Sequence, residues 1–381
     1  MRLGVFSDWY LPGIKGGGRV TALANMVASL GNTIEIYIVT RNHDVGSKAS
    51  YEAVGAGEWN RIGSAQVFYF HSISLLALRK LTVGSAFDVI YLNSIFSRLS
   101  LRVYLLKLLG LVRCPVIIAP HGELNSGALR TKRGRKLLFL RAAGECGLFK
   151  KALWHATTDD ERKEILAVFP KANEKKVYVA GNIVISPNST TGFKEKEPGT
   201  VTFLFVGRIT PKKNLHDAIR FISQLAGQIT FDIYGPIEDQ SYWTECCQLL
   251  SGLPRHVKAS YSGSLDPLKV HEVLTKGHFF VFPTWGENFG YAVIEALSAG
   301  CPVISSSPTP WQKAVEEGAV WGIPLSNEAE WVRTLQQCVD MDQSCYSQTV
   351  DRARRFAEAE NSQSRAKTET LAMFQWAAKQ R

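Results

Sequence analysis

The sequence predicts an α/β fold built from two doubly wound domains. Short runs of β-branched and apolar residues alternate with helix-length amphipathic segments from the first residue onward, which is typical of parallel sheets wound by right-handed crossovers. The alternation stops at a polar, turn-rich stretch over 186–200 and begins again at Val201, so this stretch is predicted to be an interdomain linker. A length of 381 residues also fits two domains better than a single core.

Both halves can be divided into elements in chain order. We predict strands at 2–7, 33–40, 65–70, 88–92, 115–119, 154–157, 177–179, 201–206, 229–234, 257–261, 279–283 and 302–305. Amphipathic helices are predicted at 19–30, 97–111, 132–143, 160–168, 214–225, 267–276 and 290–299. This division gives one domain at 1–190, a second at 191–360, and a C-terminal helix at 361–381 that packs back on the first domain.

Composition argues against several classes of protein. The hydrophobic fraction of 45% and the charged fraction of 20% are ordinary for a globular protein. The seven cysteines are scattered and form no C-x-x-C pair, so we expect neither a disulfide framework nor a zinc site, and a reducing cytoplasm fits best. The first strand meets Asp8 too early for a signal-peptide core. The apolar window 99–118 is interrupted by Arg102, Lys107 and Arg113, so no membrane span is expected.

The net charge of +10 belongs to the N-terminal half. Residues 1–190 hold 25 Lys and Arg against 13 Asp and Glu, whereas residues 191–381 hold 19 against 21. Two interpretations of this charge stay open: a solvated helix face, or attraction to an anionic membrane surface or a phosphorylated acceptor. Nucleic-acid binding is not expected, because no aromatic-interleaved basic motif accompanies the charge. The densest basic run follows the leucine-rich stretch 98–113 and consists of Arg130, Lys132, Arg133, Arg135, Lys136, Arg141, Lys150 and Lys151.

A glycine loop follows the first predicted strand. Gly16-Gly17-Gly18-Arg19 precedes a predicted helix, and glycines at that place let backbone N–H groups approach a phosphate. A flexible loop is the alternative. The pattern is not G-x-G-x-x-G, and strand 33–40 lacks the acidic residue at its end that holds a ribose in dinucleotide folds. A dehydrogenase is therefore not expected.

A basic loop follows strand 201–206 and runs from Gly207 to Asn214. Arg208 can bind a diphosphate through two N–H groups, and Lys213 can add a point charge across the same loop. We expect both side chains to be exposed for this purpose. A solvated basic turn is the alternative.

An acidic motif follows strand 279–283. Glu287 lies in the loop and Glu295 on the next helix, about two turns away, which is too far for the roughly 5–5.5 Å carboxyl pair of a retaining glycosidase. Such carboxylates suit separate hydroxyls of an extended ligand whose diphosphate meets the N–H groups around Phe289, Gly290 and Tyr291. For Glu295 the alternative is an acid favoured by the helix dipole.

Taken in order, these motifs resemble the retaining family 4 glycosyltransferases, within the glycosyl transferases group 1. The resemblance covers nearly the whole chain and is strongest over 201–305, where Tyr234-Gly235-Pro236 and Tyr261-Ser262-Gly263 also match. It implies the GT-B fold, in which two Rossmann-like domains face each other across a cleft. The chain departs from the family pattern at Arg19, Trp285 and Asn288, which leaves the sugar and the acceptor open.

The resemblance also implies roles for individual residues. His121, in Pro120-His121-Gly122-Glu123, resembles the histidine that contacts the donor sugar, and Glu287 would bind hydroxyls of that sugar while Glu295 binds the ribose. The catalytic set is then His121, Arg208, Lys213 and Glu287. The donor-binding set is Gly17, Gly18, Arg208, Lys213, Ser262, Asn288, Phe289, Gly290 and Glu295.

The implied reaction moves a hexosyl-type unit, with retention, from a nucleoside diphosphate sugar to a hydroxyl of a glycan or polyprenyl-diphosphate-linked acceptor. Bacterial surface-polysaccharide synthesis, such as O-antigen or capsule, is the expected setting, with the protein in the cytoplasm or peripheral on the inner face of the plasma membrane. We expect no cofactor and no metal, because no acidic cluster lies near the basic loop from Gly207 to Asn214. A nucleotide-sugar epimerase or hydrolase on the same fold, or a non-catalytic binding subunit, stays open as an alternative.

Overall fold

The computed structural model describes residues 1–13, 15–124, 133–185, 194–265, 267–363 and 365–380. The chain divides into two compact units, Met1–Ile183 with Ser364–Arg381 and Val184–Gln363. Each unit contains a predominantly parallel sheet with helices between its strands, so the predicted α/β class is confirmed. Residues 186–193 of the predicted linker lie outside the described residues.

The secondary structure elements alternate along both units. The strands are β1 (Arg2–Phe6), β2 (Glu35–Arg41), β3 (Trp59–Ile62), β4 (Ala65–Phe70), β5 (Val89–Leu92), β6 (Val116–Ile118), β7 (Leu153–Ala156), β8 (Val177–Val179), β9 (Thr200–Val206), β10 (Gln228–Tyr234), β11 (Val257–Tyr261), β12 (Phe279–Phe282), β13 (Val303–Ser307) and β14 (Val320–Pro324). The α-helices are α1 (Gly18–Leu30), α2 (Leu75–Gly84), α3 (Arg98–Leu108), α4 (Arg133–Glu145), α5 (Asp159–Val168), α6 (Leu215–Ile222), α7 (Gln240–Ser251), α8 (Pro267–Lys276), α9 (Tyr291–Ser298), α10 (Gln312–Glu316), α11 (Glu328–Asp340), α12 (Gln343–Gln363) and α13 (Ala366–Ala378).

The sheet of the first unit has the strand order β3-β4-β2-β1-β5-β6-β7-β8. Strand β3 pairs antiparallel with β4, and the other neighbours pair in parallel. Strand β5 is buried along its whole length, as expected for a parallel strand covered on both faces. Helix α13 belongs to this unit, where its Met373 and Phe374 join the apolar cluster that contains Leu23 and Val27 of α1.

The sheet of the second unit has the order β11-β10-β9-β12-β13-β14, and its strands are parallel. Its core is one large cluster with a Phe-rich centre, to which β9 contributes Phe203 and Phe205 and β12 contributes Phe280 and Phe282. In the described part of the chain no helix is both long and apolar enough to cross a bilayer.

Each sheet has one point at which the strand order reverses. In the first unit β1 lies between β2 and β5, and in the second unit β9 lies between β10 and β12. Open α/β sheets bind ligands beyond the carboxyl ends of the strands at such points. The glycine loop follows β1, and the loops with Arg208 and Glu287 follow β9 and β12, so the topology places the predicted motifs at both points.

Candidate functional site

The loops at the carboxyl edge of the second sheet are joined through their backbones. The N–H of Gly207 donates to the carbonyl of Tyr234 (3.0 Å), and the N–H of Gly235 donates to the carbonyl of Gly263 (2.8 Å). A side chain at position 235 would not fit, since its Cβ would lie 1.8 Å from the carbonyl oxygen of Gly207. These glycines therefore bring the loops after β9, β10 and β11 together.

Lys213 and Glu287 form a buried ion pair between the loops after β9 and β12. Lys213 Nζ lies 2.6 Å from Glu287 Oε1, and the two side chains are only 13% and 12% exposed. Thr284 Oγ1 donates to the same carboxylate oxygen (2.8 Å). The expectation that Lys213 is exposed was wrong, because the carboxylate of Glu287 is itself shielded from water and draws the ammonium inward as its counter-ion.

Electrostatics in this pair favour two charged groups. Burial raises the pKa of Glu287, but the Lys213 ammonium and the hydrogen bonds from Lys213 and Thr284 outweigh burial and bring the pKa below its usual range. Burial lowers the pKa of Lys213, and the Glu287 carboxylate opposes that shift. An ammonium has three N–H donors, so Lys213 can keep its bond to Glu287 and still donate to a phosphate.

Arg208 also has an acidic partner, which the sequence motifs did not reveal. Arg208 Nη1 lies 2.6 Å from Glu238 Oε2 in the loop after β10, with side chains 38% and 43% exposed. Because exposed ion pairs of this kind contribute little stability, a diphosphate could take over the guanidinium at small cost. Trp285, in the loop after β12, donates its backbone N–H to the carbonyl oxygen of Lys212 (2.9 Å), and its side chain is 65% exposed.

The motif after Glu287 forms the start of helix α9. Gly290, the cap residue, is left-handed (φ 79°) and has no side chain with which to cap the helix, and the N-terminal end of a helix dipole favours an anion. The ring of Phe289 is packed 4.8 Å from that of Trp311 and 4.7 Å from that of Tyr291. The loop therefore has a fixed shape, with Asn288 between Glu287 and this aromatic cluster.

Glu295 lies on the second turn of α9 and is largely shielded from water. Among the described residues its carboxylate makes no hydrogen bond and no ion pair, and burial raises its pKa to about 7. Shielding a carboxylate from water without hydrogen-bond donors costs folding free energy, unless a ligand supplies the donors. Ligand hydroxyls would do so, which is the role that the resemblance implies for this residue.

An Asp-x-Asp sequence lies away from these loops, at Asp340-Met341-Asp342. Asp342 accepts the N–H of Cys345 (2.8 Å) at the start of α12, and Asp340 accepts from the side chain of Gln336 (3.1 Å). Both carboxylates thus serve helix ends. Within the described ranges no group of three His, Cys, Asp or Glu side chains could hold a metal.

The glycine loop of the first unit is tight. Gly17 adopts φ 65° directly before α1, and a Cβ at Gly16 would lie 2.5 Å from Val20 Cγ2. Gly18 is the first residue of the helix. Arg19 Nη1 binds Glu123 Oε1 (2.7 Å), and the Glu123 carboxylate also accepts from Ser94 Oγ. The loop therefore leads into a helix whose cap residue, Gly17, has no side chain, and Arg19 is held by Glu123.

His121 follows β6 in a strained conformation. Its backbone is left-handed (φ 50°), a conformation that is uncommon for non-glycine residues and that histidine adopts more readily than most. The next N–H, of Gly122, donates to Glu161 Oε1 (2.5 Å). The ring Nε2 lies 3.2 Å from Tyr91 Oη, and burial lowers the His121 pKa to about 3, with His155 and Arg19 adding to the effect.

The predicted site residues therefore form two groups. Arg208, Lys213, Glu287 and Glu295 lie on or beside the loops at the carboxyl edge of the second sheet, together with Ser262, which is exposed and whose N–H donates to the carbonyl of Ile233 (3.0 Å). Gly17, Gly18 and His121 lie in the first unit. The residues that the sequence motifs missed are their partners, namely Glu238, Thr284, Tyr91, His155 and Glu161.

Solved structures share this fold. The crystal structure of Anabaena Alr3699/HepE in complex with UDP and glucose is 17% identical, covers 100% of this chain and 99% of its own, and superposes with a TM-score of 0.67. At this identity the likeness shows the fold alone. The prediction of a GT-B fold with two parallel-sheet domains is thereby confirmed.

Residues 190–358, most of which lie in the second unit, match the model for "Glycosyl transferases group 1". The resemblance drawn from the motifs is thereby confirmed over this segment. Among curated proteins the chain is similar to O-antigen chain mannosyltransferase B of Escherichia coli, with 24% identity over 36% of each chain. It is also similar to O-antigen chain mannosyltransferase RfbU of Salmonella typhimurium, with 23% identity over 47% of this chain and 49% of the relative. The matches thus span about half or less of these relatives.

Proposed function

We propose that this protein transfers a hexosyl-type unit from a nucleoside diphosphate sugar to an acceptor hydroxyl, with retention of configuration. The observation that carries the proposal is the set of Arg208, Lys213, Glu287 and Glu295 around the reversal point of the second sheet, inside the segment matched by the family model. Positive groups and a helix N-terminus suit a diphosphate there. The carboxylate of Glu295, which has no hydrogen-bond partner among the described residues, suits the ribose.

The chemistry needs stabilisation of a leaving group. When the bond from the anomeric carbon to the diphosphate breaks, negative charge grows on the phosphate oxygens, and preorganised donors stabilise it. Arg208 supplies a guanidinium, and Lys213 supplies N–H donors beyond the one that binds Glu287. The acceptor oxygen then bonds to the anomeric carbon on the face from which the diphosphate departs, and its proton passes to a phosphate oxygen of the leaving nucleoside diphosphate. Metal independence is part of the proposal, since these cations and the start of α9 carry out the neutralisation.

His121, Gly17 and Gly18 complete the proposed set from the first unit. The proposal gives His121 a contact with the donor sugar and gives the two glycines a contact with the diphosphate, as the resemblance implies. The tight geometry of Gly17 and the strained backbone of His121 support specific roles for these positions.

The experiment that tests this function starts by finding the donor. Thermal-shift screening against UDP, GDP, ADP and TDP sugars identifies it, because a ligand at 100 times its Kd stabilises the folded state by about 2.7 kcal/mol. Mass spectrometry then follows a polyprenyl-diphosphate-linked glycan acceptor for the gain of one hexosyl unit and the release of nucleoside diphosphate. Proton NMR of the new anomeric centre then shows whether the product keeps the anomeric configuration of the donor.

Variants separate transfer from the alternatives. Arg208→Ala should clearly reduce stabilisation by the donor, whereas Arg333→Ala, which replaces an exposed arginine on α11, should leave it intact. An epimerase would change the sugar without an acceptor, and a hydrolase would release free sugar at the same rate with or without acceptor. A binding subunit would bind the donor and release neither product.

For the acceptor and the setting, we propose a glycan or polyprenyl-diphosphate-linked acceptor in cell-surface polysaccharide synthesis. The names of the two O-antigen mannosyltransferases support this setting. A lipid-linked acceptor lies at a membrane surface, so the proposal includes peripheral association with an anionic membrane.

Exposed faces of α2 and α3 support the membrane part. Leu76 on α2 and Leu109 directly after α3 are 61% and 59% exposed. Both helices lack acidic residues, and the same outer faces carry exposed basic residues. Apolar side chains flanked by basic ones fit the interface of an anionic bilayer. The exposed residues of these faces are Leu76, Arg79, Lys80, Val83, Arg98, Arg102, Leu105 and Leu109.

Liposome flotation tests this association. The protein should float with vesicles of phosphatidylcholine and phosphatidylglycerol and poorly with phosphatidylcholine alone. Leu76→Ser with Leu109→Ser should weaken flotation, while Ile185→Ser, another exposed apolar residue, should not. Equal flotation of all variants would contradict the assignment of this face, and loss of a dimer in sedimentation experiments would show instead that the face binds a second copy.

A further inference from the structure

A chain of hydrogen bonds connects His121 to two buried side chains and a carbonyl. Tyr91 Oη lies 3.2 Å from His121 Nε2 and 2.8 Å from His155 Nδ1. His155 Nε2 lies 2.9 Å from the carbonyl oxygen of Ala180. Tyr91 and His155 come from strands β5 and β7, so rigid elements hold this chain, and the proposed donor contacts give neither residue a role.

The carbonyl at the far end fixes the direction of every hydrogen bond. The Ala180 oxygen can only accept, so His155 Nε2 carries a hydrogen. Burial lowers the pKa of His155, so the ring is neutral and its Nδ1 is an acceptor. Tyr91 therefore donates its hydroxyl hydrogen to His155. Toward His121 the Tyr91 oxygen then accepts, which requires a hydrogen on His121 Nε2.

The opposite edge of the His121 ring is left as an acceptor. A neutral ring with a hydrogen on Nε2 has none on Nδ1. Within the described part of the chain His121 Nδ1 makes no hydrogen bond, and it is not among the buried polar atoms without a partner, so solvent or a ligand can reach it. The backbone beside the ring is fixed as well, because Glu161 binds the N–H of Gly122 and both the N–H and Oγ1 of Thr157.

We propose that Tyr91 and His155 are positioning residues that hold His121 as the Nε2-protonated tautomer, so that His121 Nδ1 accepts a hydrogen bond from a hydroxyl of the donor sugar. The identity of the ligand rests on the proposed function, whereas the tautomer does not. A site of this kind selects a sugar with a hydroxyl at the contacted position, since a deoxy sugar would leave the nitrogen without a donor.

Nitrogen-15 NMR of the full-length protein measures the tautomer directly. Two-bond proton–nitrogen correlations of imidazole-labelled histidine distinguish the two neutral tautomers and the charged ring, and His121→Gln and His155→Gln assign the two signals. We expect both rings at neutral pH to be neutral, with the hydrogen on Nε2. Tyr91→Phe should convert His121 to a mixture of tautomers. Tyr104→Phe, which removes a buried hydroxyl that takes no part in this chain of hydrogen bonds, should leave both signals unchanged.

Kinetics with the identified donor provide the second readout. By analogy with partners that orient metal-bound histidines, Tyr91→Phe should lower kcat roughly 10- to 100-fold. The Kd for the nucleoside diphosphate should stay unchanged, because Arg208 and Lys213 are untouched. A merely structural role of Tyr91 would change neither the tautomer nor kcat selectively.

The outcomes separate this inference from the proposed function. A hydrogen on Nδ1 of His121 in the parent protein, a charged ring, or an unchanged tautomer in Tyr91→Phe would overturn the positioning role. An unchanged kcat in a variant with mixed tautomers would overturn the contact with the sugar hydroxyl. If the spectra are as expected but no donor supports transfer, the positioning role stands and the proposed function is refuted.

Discussion

Replacing Lys213 by methionine should destabilise the second unit. The substitution keeps the length of the side chain but removes the ammonium that lies 2.6 Å from Glu287, and it leaves a carboxylate of 12% exposure without a counter-ion. Breaking a buried ion pair by removing one partner costs about 3–5 kcal/mol. Because the hydroxyl of Thr284 still donates to Glu287, we expect a loss near the lower end, about 3 kcal/mol. If Lys213 were exposed, as the sequence predicts, the substitution would cause no loss of folding stability.

The double variant distinguishes a buried pair from simple loss of packing. Glu287→Gln removes the remaining charge, so Lys213→Met with Glu287→Gln should recover much of the lost stability, with a coupling energy of about 2 kcal/mol, within the usual range for residues in contact. Transfer activity should stay absent in the double variant, because the phosphate and sugar contacts are both removed.

Urea unfolding of the four proteins measures the coupling energy. Hydrogen exchange at peptides that contain β9 and β12 reports the second unit alone, which matters because a chain with two units need not unfold in one step. Lys212→Met is the matched control, as the neighbouring lysine is exposed. If Lys213→Met is as stable as Lys212→Met, or if the double variant is no more stable than Lys213→Met, the reasoning is refuted.

Three further predictions concern binding, metal and membrane. Burial raises the pKa of Glu295 to about 7, so ionising this carboxyl costs folded-state stability above its unfolded pKa, whereas ribose hydroxyls favour the ionised form. Nucleotide affinity should therefore rise with pH through about 7, and Glu295→Gln should lose this component. Identical pH profiles of nucleotide affinity for the parent and the variant would refute the ribose assignment. EDTA should leave transfer unchanged, and a loss restored by Mg²⁺ or Mn²⁺ would overturn metal independence. A variant with five basic residues changed to Gln should bind anionic vesicles more weakly by orders of magnitude, at about 1 kcal/mol for each charge, and should bind the donor normally; the five are Arg130, Lys132, Arg133, Arg135 and Lys136. Of these, Arg130 and Lys132 lie outside the described residues. Flotation equal to that of the parent protein would favour a solvated helix face.

The fold could be predicted wherever burial leaves a clear pattern in the sequence. Strands such as β9 and β12 are apolar runs because helices cover both of their faces. Strand β3 was missed because Trp59–Ile62 is a short edge strand with polar residues, which forms by pairing with β4 across a turn at Gly63. Helix α11 was missed although Trp331, Leu335 and Cys338 are buried at helical spacing; its signal was present in the sequence.

Contacts within the site were less predictable than its location. Each motif could be placed after a strand, because parallel topology brings carboxyl ends to one edge. The contacts between partner side chains could not be predicted, since Lys213 and Glu287 are 74 residues apart and Tyr91 and His155 are 64 residues apart. Which loop side chains meet depends on exact loop shapes, such as the left-handed Asn214 and Gly290, and not on periodicity.

The central claim is that a nucleoside diphosphate binds at the reversal point of the second sheet, and isothermal titration calorimetry tests it most directly. One of UDP, GDP, ADP and TDP should bind the parent protein and Arg333→Ala with equal affinity. Arg208→Ala should bind at least about tenfold more weakly, because a charge-assisted hydrogen bond contributes about 1.5–3 kcal/mol. Binding of none of the four nucleotides, or equal binding by Arg208→Ala, would contradict the claim.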